Sequence, residues 1–402
     1  MSTAKTERIL TINAGSSSLR IGLFTAQPGQ DQPILLARGK LDGIGTRPRL
    51  QASRADGTPL LEQEFPVEQV ADMPAAFRLV ALELTKNLSG DPPSLISHRV
   101  VHGGAVFSAP QRVDSELLAQ LREFEPLAPL HQPYNLAPIQ AILDDSPDLI
   151  QIACFDTAFH SGRSQLSQLF ALPYPLYQQG IRRYGFHGLS FEYVSRRLKE
   201  VAPELANGKV VIAHLGNGAS LCAIEGGRSI EVTTSFSALD GLPMGSRCGA
   251  LDPGVLLHLL ANGENAQSLE KLLYHRSGLL GISGVSSDMR TLRTSQEPQA
   301  LLAIDYYAYR IVQEVGRLAA SLGGLDALVF TAGIGEKDAE LRAQVIERLA
   351  PLFDLHLDEQ ANRQHAERIS SAKSATALMV IPTDEESMLA RHAWQLHCKE
   401  HS

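Results

Sequence analysis

Two arginines in this sequence have the chemistry to clamp a planar anion, and an aspartate and a histidine sit at similar places in the chain. Arg99 lies in Ser97-His-Arg-Val-Val-His-Gly-Gly104 and Arg247 in Gly241-Leu-Pro-Met-Gly-Ser-Arg-Cys-Gly249. Asp156 follows the apolar run Leu149–Phe155, and His187 closes Arg182-Arg-Tyr-Gly-Phe-His. A guanidinium fork matches carboxylate and phosphate oxygens. Both arginines sit beside glycines at the ends of apolar runs, which favours a pocket over a solvated face. Singly, each residue has an ordinary explanation: an ion pair, a helix N-cap for Asp156, a core histidine for His187. His131, in Pro129-Leu-His-Gln-Pro133, reads equally well as a loop histidine. Asp384-Glu385-Glu386 reads as charges at the start of a helix. His98 and His102 are four apart on a strand and lack the glutamate of a helical zinc motif, so no zinc site is expected.

These groups need a phosphate cradle, and two segments supply one. Ile9–Phe24 and Val210–Ile224 are each a strand, a bend rich in Gly, Ser or Asn, and a return strand. Such bends let backbone N–H groups approach a polyphosphate. The two hairpins lie about 200 residues apart, and a third glycine turn is expected at 333–335. The Walker pattern and the dinucleotide fingerprint are both missing from the sequence. The pattern predicts a duplicated nucleotide-binding fold with ATP held between its halves.

Strands and helices alternate, as in an α/β protein. Helices are expected near Pro74–Leu88, Asp114–Phe124, Leu136–Leu143, Val255–Leu260, Gln267–Tyr274, Pro298–Leu322 and Ala339–Leu349. Strands are expected at Leu95–Val101, Leu149–Phe155, Ala327–Thr331 and Ala377–Ile381, with further strands in 34–65. Ser235–Pro253 reads as irregular. Two lobes are expected: residues 1–155 completed by the closing helix 386–402, and residues 156–385.

At 402 residues, 44% apolar and 20% charged, the chain is a globular protein of two-domain size. A net charge of −8 without basic runs argues against nucleic-acid and membrane partners. Cys154, Cys222, Cys248 and Cys398 lack paired spacing, and three of them read as buried free thiols. The Met1 start shows no signal-type apolar region, and a cytoplasmic protein is expected.

The motifs taken together resemble the acetate kinase family. The resemblance rests on Asn13-Ala-Gly-Ser-Ser-Ser-Leu, the Arg99 segment, Ala128-Pro-Leu-His, Phe155-Asp-Thr-Ala-Phe-His and Arg183-Tyr-Gly-Phe-His-Gly. It continues through His214-Leu-Gly-Asn-Gly-Ala-Ser, Phe330-Thr-Ala-Gly-Ile-Gly-Glu and Ile381-Pro-Thr-Asp-Glu-Glu, in order along the chain. It implies a duplicated actin/hexokinase/Hsp70-like (ribonuclease H-like) fold with the active site between two lobes. It also implies reversible γ-phosphoryl transfer from ATP to acetate, giving acetyl phosphate and ADP. By that resemblance Asn13 and Glu385 hold Mg²⁺, with Mn²⁺ an alternative ion. Arg99 binds the substrate carboxylate, Asp156 is the catalytic acid residue, and His187 and Arg247 stabilise the transferring group. Val101, Leu130, His131 and Phe186 surround the acyl group. The nucleotide falls to Arg20, His214, Leu215, Gly216, Asn217, Gly218, Asp288, Met289, Arg290, Gly333, Ile334, Gly335, Glu336 and Lys337.

Several positions depart from the family pattern. Arg20 replaces a common lysine, Met289 an aromatic near the base, and Lys337 and Asp384 each an asparagine. Ala250 replaces an aspartate and Ala238 a pocket proline. The resemblance also implies a homodimer. Two other readings stand beside it: a propionate or butyrate kinase of the same family, and a non-catalytic actin-like ATP-binding protein.

Overall fold

The computed structural model describes residues 6–15, 17–87 and 91–400. The Met1 start, Ser16 of the first turn and Leu88, the expected end of the first helix, lie outside the described residues. The chain divides into two compact units: residues 1–158 with 384–402, and residues 159–383. The expected boundaries fell at 155/156 and 385/386, so Asp156 and Glu385 sit in the first unit and not the second.

The first unit carries an eight-stranded sheet. Its strands are β1 (Glu7–Ala14), β2 (Ser18–Ala26), β3 (Ile34–Asp42), β4 (Arg49–Arg54), β5 (Pro59–Glu64), β6 (Leu95–Val100), β7 (Gln111–Arg112) and β8 (Ile150–Phe155). The order is β5-β4-β3-β2-β1-β6-β8-β7. β1, β2 and β3 pair antiparallel, whereas β1, β6 and β8 run parallel. The edge strand β5 is polar, and Glu62 and Glu64 pair with Arg49 and Arg47, which blunts that edge against further pairing. The sheet's inner face is buried against Met73–Asn87 and Gln132–Asp145, with Ile12, Leu19, Ile21, Ile96 and Ile142 in the core.

The second unit repeats the plan with β9 (Lys209–Leu215), β10 (Ala219–Glu225), β11 (Arg228–Val232), β12 (Ala327–Thr331) and β13 (Ala377–Val380), in the order β11-β10-β9-β12-β13. The order and sense of β3-β2-β1-β6-β8 recur strand for strand, because β9, β10 and β11 are antiparallel and β9, β12 and β13 parallel. β9 and β12 are almost wholly apolar and buried, as strands covered on both faces must be. Pro298 at the first helical position and Gly323 at φ 69° delimit the helix Pro298–Leu322, whose apolar face packs on the sheet.

Three differences from expectation stand out. Residues 332–337 form a short helix, Ala332–Lys337, and not a glycine turn; Thr331 and the αL Ala332 redirect the chain directly out of β12. The helix Gly188–Val201 is an addition. Cys248 is half buried, while Cys154 and Cys222 are buried; none of the four cysteines is in a disulfide. No helix among the described residues is long and apolar enough to cross a membrane.

Buried histidines make the fold acid-sensitive. His98 meets Gln151 Oε1 at 2.8 Å, and His160 meets Ser229 Oγ at 2.8 Å and the Phe186 carbonyl at 3.0 Å. Burial pushes His98 and His160 down to about 3, and His102 down to about 4. The unfolded chain protonates these rings near pH 6.5, before the native state does. Stability is therefore complete above that pH and falls as pH drops toward 4. At pH 5 each ring forfeits about 1–2 kcal/mol. Urea midpoints at pH 7.5 and pH 5 are expected to differ markedly; equal midpoints would contradict the assignment.

Candidate active site

In the first unit, three parallel strands and one helix bring a cluster together. Ile12 pairs with His98 across β1 and β6, so Asn13 lies beside Arg99; Asp156 follows β8, and its N–H donates to the Val100 carbonyl. Side chains at the carboxyl ends of parallel strands are where α/β sheets bind ligands. Arg99 Nε donates to both Asp156 oxygens at 3.0 Å, and Nη2 donates to Oδ2 at 2.5 Å. Nη1 donates to Asn13 Oδ1 at 3.1 Å, and Asn13 Nδ2 donates to Glu385 Oε2 at 3.0 Å. Glu385 opens the helix Glu385–Glu400, whose N-terminus stabilises negative charge. Asp384 accepts from the Ser387 N–H at 3.0 Å and pairs with Arg38.

The charges in this cluster are strongly coupled. Asp156 is 1% exposed. Burial pushes its carboxyl above the usual range against the pull of Arg99, and Glu385 adds to the rise. Burial also works against the Arg99 charge, but Asp156 and Glu385 outweigh it and hold the guanidinium firmly protonated. Glu386 is raised by burial and by Glu385 beside it. Val101 is buried, its N–H donating to Asn135 Oδ1 at 2.9 Å, while Leu130 and His131 are half buried at the start of Gln132–Asp145. Arg20 is exposed on β2, paired in register with Asn13, and is not among the residues that line the cavity of the second unit.

In the second unit, His187 adopts φ 59° and ψ 26° at the head of Gly188–Val201. Its Nδ1 meets Ser220 Oγ at 2.7 Å, and its ring stacks on His214 at 4.4 Å. His214 Nδ1 meets Ser190 Oγ at 2.8 Å, and Thr383 Oγ1 donates to that same hydroxyl at 2.8 Å. This chain of hydroxyls fixes both imidazoles. A Cβ at Gly218 would stand 3.1 Å from His187 Nε2, so that nitrogen faces the β9–β10 turn. Gly218→Ala is expected to displace the ring and lower kcat/KM for ATP about 10–100-fold; unchanged kinetics would refute this. Phe186 is buried, and its N–H donates to Thr234 Oγ1 at 3.0 Å. Arg247 lies in a tight turn closed by Met244 N–H donating to its carbonyl at 3.0 Å, and its Nη1 donates to the Ala238 carbonyl at 3.3 Å.

A cavity of about 950 Å³ opens beside the β9–β10 turn, at the upper end of ligand-site size. Of the expected nucleotide residues, Gly216, Asn217, Asp288, Met289, Arg290, Gly333, Ile334 and Lys337 line it. His214, Leu215, Gly218, Gly335 and Glu336 do not. Leu215 and Gly335 are buried beneath the cavity, and Glu336 Oε1 instead accepts from the Thr383 N–H at 3.2 Å. Asp288 caps Met289–Thr294 through the Arg290 N–H, and hydrogen bonds from Arg290 hold its carboxyl below the usual range. Arg342 is fully buried and donates to the Gly335, Glu336 and Asn362 carbonyls at 2.7–2.9 Å, which anchors Ala332–Lys337 from below.

Some lining residues went unnoticed in the sequence. Tyr307 was hidden in the apolar period of its helix. Asp338 and Arg293, paired at 3.0 Å, carried one available signal, an aspartate directly before a helical run.

A five-strand sheet present twice in one chain, with the same order and sense, is the plan of the actin/hexokinase-like fold. The acetokinase family model matches residues 8–391. Acetate kinase of Nitrobacter hamburgensis is 49% identical over 391 residues, covering 97% of this chain and 96% of its own. Acetate kinase of Rhizobium meliloti is likewise 49% identical over 391 residues, covering 97% and 98%. The crystal structure of Porphyromonas gingivalis acetate kinase superposes with a TM-score of 0.82 at 35% identity, covering 97% of this chain and all of that one. That of a propionate kinase from Francisella tularensis gives 0.87 at 33% identity, covering 97% and 99%. The chain belongs to the acetokinase family, and it is a kinase.

Proposed function

We propose that this protein transfers the γ-phosphoryl group of ATP to acetate, reversibly, giving acetyl phosphate and ADP by direct in-line displacement. The reading is carried by the coexistence of a nucleotide-sized cavity and a buried Arg99–Asp156 pair in a chain 49% identical to acetate kinases. An acetate oxygen forms the new bond to phosphorus as the β,γ-bridging bond breaks, and the electron pair leaves on ADP. Acetate is ionised at neutral pH, so Asp156 has no proton to remove. Its task is to lock the Arg99 fork while the remaining N–H groups of Arg99 take the substrate carboxylate. Arg247 and His187 meet the charge on the transferring group, whose approach to another anion is the main barrier. Val101, Leu130 and Phe186 bound the acyl chain, with His131 beside it.

The donor set suits Mg²⁺, which favours one or two carboxylates plus substrate phosphates over a closed protein cage. Among the described residues no group of three or more His, Cys, Asp or Glu side chains forms such a cage. Glu385 and the Asn13 carboxamide oxygen would hold the ion, or Mn²⁺ in its place. Bound with the nucleotide, it neutralises phosphate charge.

Propionate is the second reading, favoured by the likeness to the Francisella tularensis propionate kinase. A single methylene is worth only about 1–3 kcal/mol of discrimination. Trapping acyl phosphate with hydroxylamine from Mg·ATP and acetate, propionate or butyrate tests the assignment. The highest kcat/KM is expected with acetate; no product from any acid would overturn the function. The same reading carries a homodimer, supported by the exposed Leu257, Leu260, Leu301, Leu302, Tyr306 and Tyr309 of the second unit. It also carries a cytoplasmic location, for which four cysteines outside any disulfide speak.

A further inference from the structure

Three distant segments of the second unit meet at one hydroxyl. Ser190 is fully buried, and its Oγ has two hydrogen-bond partners among the described residues, Thr383 Oγ1 and His214 Nδ1, each at 2.8 Å. A hydroxyl carries one proton and two lone pairs. Thr383 donates, so one lone pair of Ser190 is taken, and the Ser190 proton has a single acceptor, His214 Nδ1. A neutral imidazole that accepts at Nδ1 carries its proton on Nε2. That nitrogen faces the β9–β10 turn, since a Cβ at Gly216 would stand 3.7 Å from it. His214 and Ser220 are register partners on β9 and β10, and together they seat His187. Ser220 Oγ meets His187 Nδ1 at 2.7 Å, and the His214 ring stacks on the His187 ring at 4.4 Å, 13° from parallel. Thr383 is itself anchored, because its N–H donates to Glu336 Oε1 at 3.2 Å. This bond gives the Glu336 carboxylate, which does not line the cavity, a place in the same chain of contacts.

We propose that Thr383 is a positioning residue for phosphoryl transfer: through Ser190 it fixes His214 in the Nε2–H form, and the fixed His214 ring keeps His187 aligned on the β9–β10 turn. The inference rests on the proposed role of His187 and extends it to a hydroxyl outside the nucleotide cavity. Without the Thr383 proton, Ser190 is free to accept from an Nδ1–H, and His214 then exchanges between two tautomers. An Nε2 stripped of its proton would present a lone pair to the turn, which repels phosphate oxygens. A misplacement of about 1 Å in a catalytic arrangement costs about 10²-fold. A mixed tautomer leaves part of the population correct, so a smaller loss is expected here.

Two measurements on wild type, Thr383→Val and Thr383→Ser test this. In ¹H–¹⁵N spectra of histidine-labelled protein, the His214 signals are those that vanish in His214→Gln. Wild type is expected to show His214 protonated at Nε2 and bare at Nδ1, and Thr383→Val to show both nitrogens partly protonated. The kcat of Thr383→Val should fall about tenfold, with the KM values for acetate and Mg·ATP within about twofold of wild type, as for a contact that matters in the transition state. Thr383→Ser keeps the donor and should restore both the ring pattern and kcat. A wild-type His214 pattern or a wild-type kcat in Thr383→Val would overturn the proposal. So would a Thr383→Ser variant as slow as Thr383→Val. If Thr383→Val does not fold, Ser190→Ala is judged by the same spectra and kinetics, since it removes the donor to Nδ1 directly. The spectra need no substrate. A wild type that shows the expected pattern but makes no acyl phosphate rejects the proposed reaction alone, whereas acyl phosphate formation at equal rates by wild type and Thr383→Val rejects the Thr383 role alone.

Discussion

Arg247→Ala is expected to lower kcat by about 10³–10⁵, the range associated with arginine stabilisation of phosphoryl transfer. The KM for acetate should change far less. Arg247 is held in a turn closed by the Met244 N–H, and Gly278, at φ 62°, packs so tightly there that a Cβ would lie 2.1 Å from the Met244 carbonyl. Its Nη1 contacts the Ala238 carbonyl at 3.3 Å and the Met244 sulfur at 3.7 Å, both of them neutral acceptors. Both contacts hold the guanidinium beside this turn. Steady-state kinetics with both substrates varied would decide the matter. A variant with wild-type kcat would remove Arg247 from the chemistry.

Arg99→Met carries the second large effect, and its first consequence is structural. Asp156 is buried, and three of its hydrogen bonds come from Arg99. Removing one partner of a buried pair leaves an uncompensated charge, at about 3–5 kcal/mol. The variant should relieve this by keeping Asp156 protonated. Its folded-state pKa, already raised by burial, then moves further above the unfolded value, so the native state binds the extra proton between the two. Stability in that window falls as pH rises, opposite in sign to the histidine effect. Asp156→Asn in the same protein should restore the denaturation midpoint without restoring acetate binding. If Arg99→Met alone keeps both the midpoint and the KM for acetate, the pair is neither a structural nor a binding element.

The sequence was most informative where chain direction and burial share one cause. β9 and β12 read as strands because sheet strands covered on both faces are continuously apolar. The helix Pro298–Leu322 was bounded correctly because Pro298 and Gly323 punctuate it. Gly188–Val201 escaped notice because its head residue, His187, offers no capping hydrogen bond; the αL turn there serves the imidazole. Gly333 and Gly335 read as a turn, although they lie in a short helix, where a Cβ at Gly333 would meet open space and one at Gly335 only ordinary contacts with Ala213 and Phe330. In the site, the Arg99–Asp156–Asn13–Glu385 cluster was named residue by residue, but its pairing was not visible. Strand register and the return of the C-terminal helix bring it together over separations of up to 372 residues. Tyr307 and Asp338 were invisible for a related reason: one hydroxyl in an apolar helix and one N-cap look the same in any protein.

The most direct test of the account is ³¹P NMR of the wild-type enzyme with Mg·ATP and acetate. The prediction is an acetyl phosphate resonance that grows in step with ADP as the γ-phosphate signal of ATP declines, with inorganic phosphate negligible. Inorganic phosphate alone, or an unchanged ATP spectrum, would contradict direct phosphoryl transfer to acetate.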